Sequence, residues 1–197
     1  MRRLGIITFA GVMIGAGVAH AGVKVVEKVD YYNITGDSGD ALMAAMDREG
    51  PRHGFLARAI AQTRYSLAWD LEWKGVDNRC VLKQADVTLS VHYRFPRVTG
   101  KVPSAVKRKW ATFMKGVNKH ERMHGRIARE MADAAYKAAM KLTVEGDPNC
   151  RRAKQELSKV VHEIYNRYEE RQQQFDAVEH QPGGTVDRLV TSLMKSR

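Results

Sequence analysis

The chain has 197 residues, with 33 Lys and Arg against 22 Asp and Glu and only two cysteines, a length that suits one hydrophobic core and is short for two. Its 44% hydrophobic and 28% charged residues fall in the ordinary globular range, which excludes intrinsic disorder, collagen-like repeats and disulfide-dense miniproteins.

The first segment reads as an export signal. Arg2 and Arg3 form a basic start, and an apolar run from Leu4 to Ala19 is broken by glycines. Ala19-His20-Ala21 then supplies a small-x-small cleavage pattern. The run falls below the roughly 20 apolar residues that a bilayer span needs, and no stop-transfer pattern follows. Residues 1–21 are therefore expected to be a signal peptide and residues 22–197 one domain, periplasmic or secreted, with no membrane span after the signal is removed. Losing Arg2 and Arg3 lowers the formal charge from +11 to +9. The basic residues are spread through helical patterns without aromatic interleaving, so a solvated basic face is expected. Nucleic acid is not an expected partner, and attraction to an anionic envelope surface is a weaker alternative. In an oxidising compartment, Cys80 and Cys150 form an even pair, expected to join in one disulfide that closes a loop of about 70 residues and contributes around 4 kcal/mol.

Val23 to Ile34 is β-branched and aromatic, and reads as extended chain. Thr35-Gly36-Asp37-Ser38 offers turn and cap chemistry for a helix from about Gly39 to Arg48, stopped by Gly50-Pro51. Two alternating runs follow. Tyr65, Leu67, Trp69, Leu71 and Trp73 share one face of the first; Ala85, Val87, Leu89, Val91, Tyr93 and Phe95 share one face of the second. With Gly75-Val76-Asp77-Asn78 as turn residues between them, they predict two long antiparallel strands.

After Pro103 the period changes from two to three and four. Trp110, Phe113, Val117, His120, His124, Ile127, Met131, Ala134, Ala138 and Leu142 form one stripe of a helix from about Ser104 to Leu142, ended by Gly146-Asp147-Pro148. A second long helix, about Cys150 to Val178, carries Leu157, Val161, Ile164, Tyr168, Phe175 and Val178. A short tail after Gly183-Gly184 holds Leu189, Val190, Leu193 and Met194. The predicted fold class is α+β: a small antiparallel sheet packed on a long C-terminal helical hairpin.

His120-Glu121-Arg122-Met123-His124 carries the chemistry. Residues i and i+4 lie about 40° apart around a helix and one turn along it, so both imidazoles can face one tetrahedral Zn²⁺. Glu121 then stands beside them, placed to act as general base on metal-activated water. Both histidines fall on the apolar stripe, where neutral imidazoles need partners, and a metal satisfies them. The bland alternative is a pair of core histidines bonded to the sheet or to tyrosines, with Glu121 facing solvent.

A catalytic zinc takes three protein ligands and keeps one position open. Glu130 has the spacing of a third ligand only if the helix breaks where this chain has Ile127; in a continuing helix it points about 240° away from His124. His162 lies beside Val161 and could flank the buried seam. His180 closes the last long helix near Gly183-Gly184, where the chain can fold back. Asp176 is a further candidate, as a ligand or as an acceptor that orients an imidazole. His92, His162 and Tyr165 are available to stabilise an oxyanion, without one being singled out.

Taken in order, Tyr31-Tyr32 with Gly36, Gly50-Pro51, Trp69 and Trp73, Cys80, Phe95-Pro96, Trp110, His120-Glu121 with His124, Cys150, and Phe175-Asp176 before His180 resemble the bacterial family of predicted secreted zinc-dependent proteases, a domain family otherwise labelled as of unknown function. The resemblance spans nearly the whole chain after residue 21. It implies an exported, disulfide-bonded, zinc-dependent peptidase-like domain. It also points to His180 as the third ligand beside His120 and His124, since members carry an aromatic-Asp pair and then a His followed by Gly. This chain departs there, with Gln181-Pro182 after the His and a shorter spacing from Asp176. The expected activity is zinc-dependent endopeptidase action on a peptide or protein substrate. The alternative is a non-catalytic envelope protein with a structural or vestigial metal site that binds a protein or anionic polymer.

Overall fold

The structure, a computed structural model, describes residues 22–53 and 57–195; the expected signal peptide lies outside the described residues. The chain runs through β1 (Val23–Ile34), α1 (Gly39–Glu49), β2 (Arg52–His53), β3 (Ala57–Arg58), β4 (Gln62–Val76), β5 (Arg79–Val98), α2 (Ser104–Met140), β6 (Thr143–Glu145), α3 (Arg151–His180) and α4 (Thr185–Met194). The α+β class and the C-terminal helical hairpin predicted from the sequence are both present.

Strands β4 and β5 form the long antiparallel hairpin that the alternation predicts, with Trp69 opposite Val87 and Val76 opposite Arg79. The loop between them is the pair Asp77-Asn78, with φ of 48° and 62°. Two successive left-handed residues are what a tight turn matching the right-handed strand twist requires, and Asp and Asn tolerate that region best after glycine.

The sheet departs from the expected all-antiparallel form. Its order is β1-β5-β4, and β1 runs parallel to β5, from Val23 opposite Val87 to Ile34 opposite Val98. A period of two assigns faces and carries no direction. The tight hairpin commits one edge of β5 to β4; the connection through α1 leaves β4 starting near the end of β1, with Gln62 and Asp30 both opposite Arg94, so β4 runs back and β5 then runs in the direction of β1 on its other edge. A three-residue strand, β6, which no sequence pattern announces, pairs with the start of β5.

The inner face of β5 packs against α2. Leu89, Val91, Tyr93 and Phe95 are buried against Phe113, Val117, Ala128 and Ala132 of α2, Leu42 and Met46 of α1, and Leu193 of α4. Gly125 permits the closest approach: a Cβ there would lie 1.9 Å from the Tyr93 hydroxyl, so only a residue without a side chain lets α2 sit this low on the sheet. Because Gly125 follows His124, this contact also sets the depth of the two histidines. The apolar face of α3 is shorter than its sequence stripe suggested, since Val178 is 59% exposed.

Cys80 and Cys150 form the expected disulfide, with Cα atoms 5.1 Å apart. The start of α3 is also capped by Asp147, which is buried and accepts the backbone N–H groups of Arg151 at 3.0 Å and Ala153 at 2.8 Å. Burial raises the Asp147 pKa, but the backbone bonds to Ala153, Arg152 and Arg151 outweigh it and hold the carboxyl below its ordinary value. A depressed pKa stabilises the fold above the unfolded value near 3.8, and that stabilisation disappears as pH falls through the folded value. Asp147→Asn is therefore expected to melt earlier than wild type at neutral pH, with the gap closing as melts are repeated toward pH 2. A gap independent of pH would disprove the charge-dependent cap.

Candidate metal centre

The helical period turns His120 and His124 of α2 inward, and α3 lies against them. Residues 172, 176 and 180 of α3, spaced four apart, put Gln172, Asp176 and His180 on the facing stripe. The His120 ring stacks on Phe175, with centroids 4.9 Å apart, and Phe175 meets the His124 ring edge-on at 5.2 Å. The aromatic ring thus wedges both imidazoles in place from the apolar side.

Three donor atoms converge. His120 Nε2 and His124 Nε2 are 3.2 Å apart, and Asp176 Oδ1 lies 3.2 Å from the first and 2.9 Å from the second. Tetrahedral zinc bonds of 2.0–2.1 Å would separate neighbouring donors by about 3.3 Å, close to these spacings. Asp176 Oδ1 and His120 Nδ1 are buried atoms without a hydrogen-bond partner, although Nδ1 stands 3.7 Å from Glu179 Oε2. An unsatisfied buried carboxylate oxygen is costly, and a cation held between it and the imidazoles would satisfy it. The donor set therefore fits a divalent, nitrogen-preferring ion.

His180 belongs to the same cluster at longer range. Its Nε2 is 4.0 Å from Asp176 Oδ1, and its ring centroid is 5.3 Å from that of His120. His120, Asp176 and His180 together offer ligand atoms within 4.8 Å of one another. The His180 side chain is 55% exposed, against 7% for His120 and 13% for His124, so it stands at the rim. The tighter trio is the one that includes His124.

Gln172 sets the tautomer. It is buried, its Nε2 donates to the His124 carbonyl at 3.1 Å, and its Oε1 must therefore accept from His124 Nδ1–H at 2.6 Å. With the proton on Nδ1, the lone pair of neutral His124 lies on Nε2, aimed at the cluster. Asp176, weighed from the sequence as an orienting acceptor, instead puts Oδ1 between the two Nε2 atoms, and Gln172 does the orienting.

Glu121 is buried, not solvent-facing, and its Oε2 accepts from Thr63 Oγ1 of β4 at 2.5 Å. Burial raises its pKa above the usual carboxylate value, opposed by the Thr63 bond and by the charges of His124 and His120. Burial likewise lowers the pKa of His180. Asp176 is held well below the carboxylate range: burial opposes this, and the nearness of the His120 and His124 imidazoles overcomes it. His124 is raised against the effect of its own burial by Asp176 and Gln172.

Beyond these groups a cavity of about 930 Å³ opens between β4, α1 and α3, with Met43, Arg58, Ile60, Thr63, Tyr65 and Gln173 among its walls. The remaining sequence candidates lie elsewhere. His162 is exposed on α3 and bonds Asn166 at 3.2 Å, Glu130 pairs with Arg171, His92 pairs with Asp30, and Tyr165 is exposed. Thr63 and Gln172 were not anticipated. Gln172 had a signal: it falls where the stripe Leu157, Val161, Ile164, Tyr168, Phe175 skips a position, and a polar residue at a core position asks for a partner.

Among the described residues no helix is long and apolar enough to cross a membrane. No curated protein and no solved structure matches the chain. The span that holds both cysteines, the two histidines of α2 and the facing stripe of α3 does have relatives: residues 29–184 match the profile of a family described as Bacterial protein of unknown function (DUF922), and the chain belongs to that family.

Proposed function

We propose that the protein is a zinc-dependent peptidase, exported by an N-terminal signal peptide to the periplasm or beyond the cell, with residues 22–197 as its peptidase domain. One observation carries the reading: two imidazole nitrogens and a carboxylate oxygen converge at about 3 Å beside a buried glutamate, at the floor of a cleft large enough for a peptide. The disulfide supports the compartment, since such bonds persist where thiols are oxidised.

His120, His124 and Asp176 are the residues that would hold the ion, with His180 as the competing third ligand. When bound, zinc would polarise a scissile carbonyl and bring the pKa of water toward about 7. The chain's own part is proton transfer and positioning. Glu121, raised by burial and held by Thr63, takes the proton of the attacking water on its carboxylate and returns it to the leaving amine nitrogen. Phe175 and Gln172 keep the imidazoles from rotating. The cleft wall of β4 and α1 orients the peptide.

Metal content of the purified protein, read by mass spectrometry, tests the site without a substrate. One zinc per chain is expected, lost in His124→Ala and in Asp176→Ala and retained in His180→Ala. Wild-type protein without zinc, or full zinc in His124→Ala, would overturn the proposal. A second reading is favoured by the nearness of His180: with all four side chains on the ion, the site is closed and structural, and the protein is a binding module of the envelope. Loss of zinc from His180→Ala together with loss from the other two variants supports that reading.

A further inference from the structure

The outer face of α2 carries a feature with no part in the site above. Arg108, Lys115, Lys119, Arg122, Arg126 and Arg129 are all exposed. At 100° per residue they fall within an arc of about 80°, along roughly 31 Å of helix. Between Ser104 and Arg129 the only acidic residue is Glu121, buried about 120° around the helix from the middle of the arc; the exposed Asp133, one turn beyond Arg129, falls inside the arc and pairs with none of the six. One carboxylate from another element meets the stripe: Glu27 of β1 lies 2.6 Å from Arg122 and also bonds Arg129. Burial raises the Glu27 pKa, and the two guanidiniums outweigh that and lower it, so it stays ionised. The other four cations have no ion pair among the described residues, and the stripe keeps a net charge of about +5.

We infer that this face docks the protein on the anionic headgroup surface of a lipid bilayer. The shape argues for a plane. The cations project from one side of a single helix, along a line that can lie tangent to a flat surface, whereas a strand of nucleic acid asks for a groove that follows its backbone and for stacking aromatics, and the arc has neither. A protein partner asks for exposed aromatic or aliphatic anchors, and no exposed large apolar side chain lies between Arg108 and Arg129; Met140, in the same arc, stands three turns beyond. Rows of Lys and Arg on an amphipathic helix match the evenly spread charge of anionic lipids, each cation near the surface raising partition about fivefold. His124 points about 160° away from Arg126 around the helix, so docking leaves the cleft open. The inference stands apart from the peptidase reading, because its test needs neither zinc nor turnover.

The test is co-sedimentation of the full chain with vesicles of phosphatidylcholine alone and with vesicles containing one third phosphatidylglycerol. The readout is the ratio of the two partition coefficients, which cancels any common contribution of the apolar run in residues 1–21. A ratio above about 100 is expected at low salt, falling toward 1 in half-molar salt. Lys115→Glu, Lys119→Glu and Arg126→Glu in one chain should lower the ratio by about 100-fold or more with an unchanged melting curve. All three are exposed and unpaired, so the variant is expected to fold. A wild-type ratio near 1, or a triple variant that keeps the wild-type ratio, overturns the inference. Duplex DNA binding without vesicle binding overturns it too, and assigns the stripe to nucleic acid.

Discussion

Glu121→Gln is expected to reduce hydrolysis of an unfolded protein such as casein by at least about 100-fold while leaving zinc stoichiometry unchanged. Gln is isosteric, and its amide oxygen can still accept the Thr63 hydroxyl, so the geometry around His120 and His124 persists and only the proton acceptor is lost. A structural role would have a different signature. Burial makes the Glu121 charge unfavourable, so the neutral variant should melt at or above the wild-type temperature even as turnover collapses. Turnover within about threefold of wild type at equal zinc content would remove Glu121 from the chemistry. A lower melting temperature with loss of zinc would instead make it part of the scaffold.

Replacing Cys80 and Cys150 by alanine should cost about 4 kcal/mol of folding stability, because the bond restrains a 70-residue loop in the unfolded chain. For a chain of this size that is a drop of about 2 M in the urea midpoint. Both cysteines are buried, and they tie the start of β5 to the first turn of α3. The bond thus anchors the helix that delivers Gln172, Asp176 and His180. Those residues lie roughly 30–45 Å further along α3, so below the unfolding transition the double variant should still bind zinc at full stoichiometry. A urea midpoint within about 0.5 M of wild type would refute the stabilising role. Lost zinc in a fully folded variant would mean that the bond shapes the site itself.

Much of this architecture was legible in the order of the residues. The alternation along Tyr65–Trp73 and Ala85–Phe95 announced the hairpin, and the three-four spacing from Trp110 to Ala138 announced α2 with His120 and His124 on its inner side. Such patterns are local, and burial on one face is enough to write them into a chain. The basic residues of α2 were equally legible and read as spread out, because they are scattered in sequence and align only when each is rotated by its helical increment.

What the sequence determined by itself, then, is the set of elements, the inward turn of two histidines with a glutamate between them, and the pair of cysteines available to each other. Only the tertiary structure decided the parallel direction of β1, the pairing of β6, and the meeting of Thr63, Gln172 and Asp176 around the α2 histidines. Direction and strand order leave no trace in a period of two. The approach of α3 to α2 depends on packing between surfaces some 50 residues apart, where a lone Asp or Gln on a helix gains its role only from the atom that the fold puts 3 Å away.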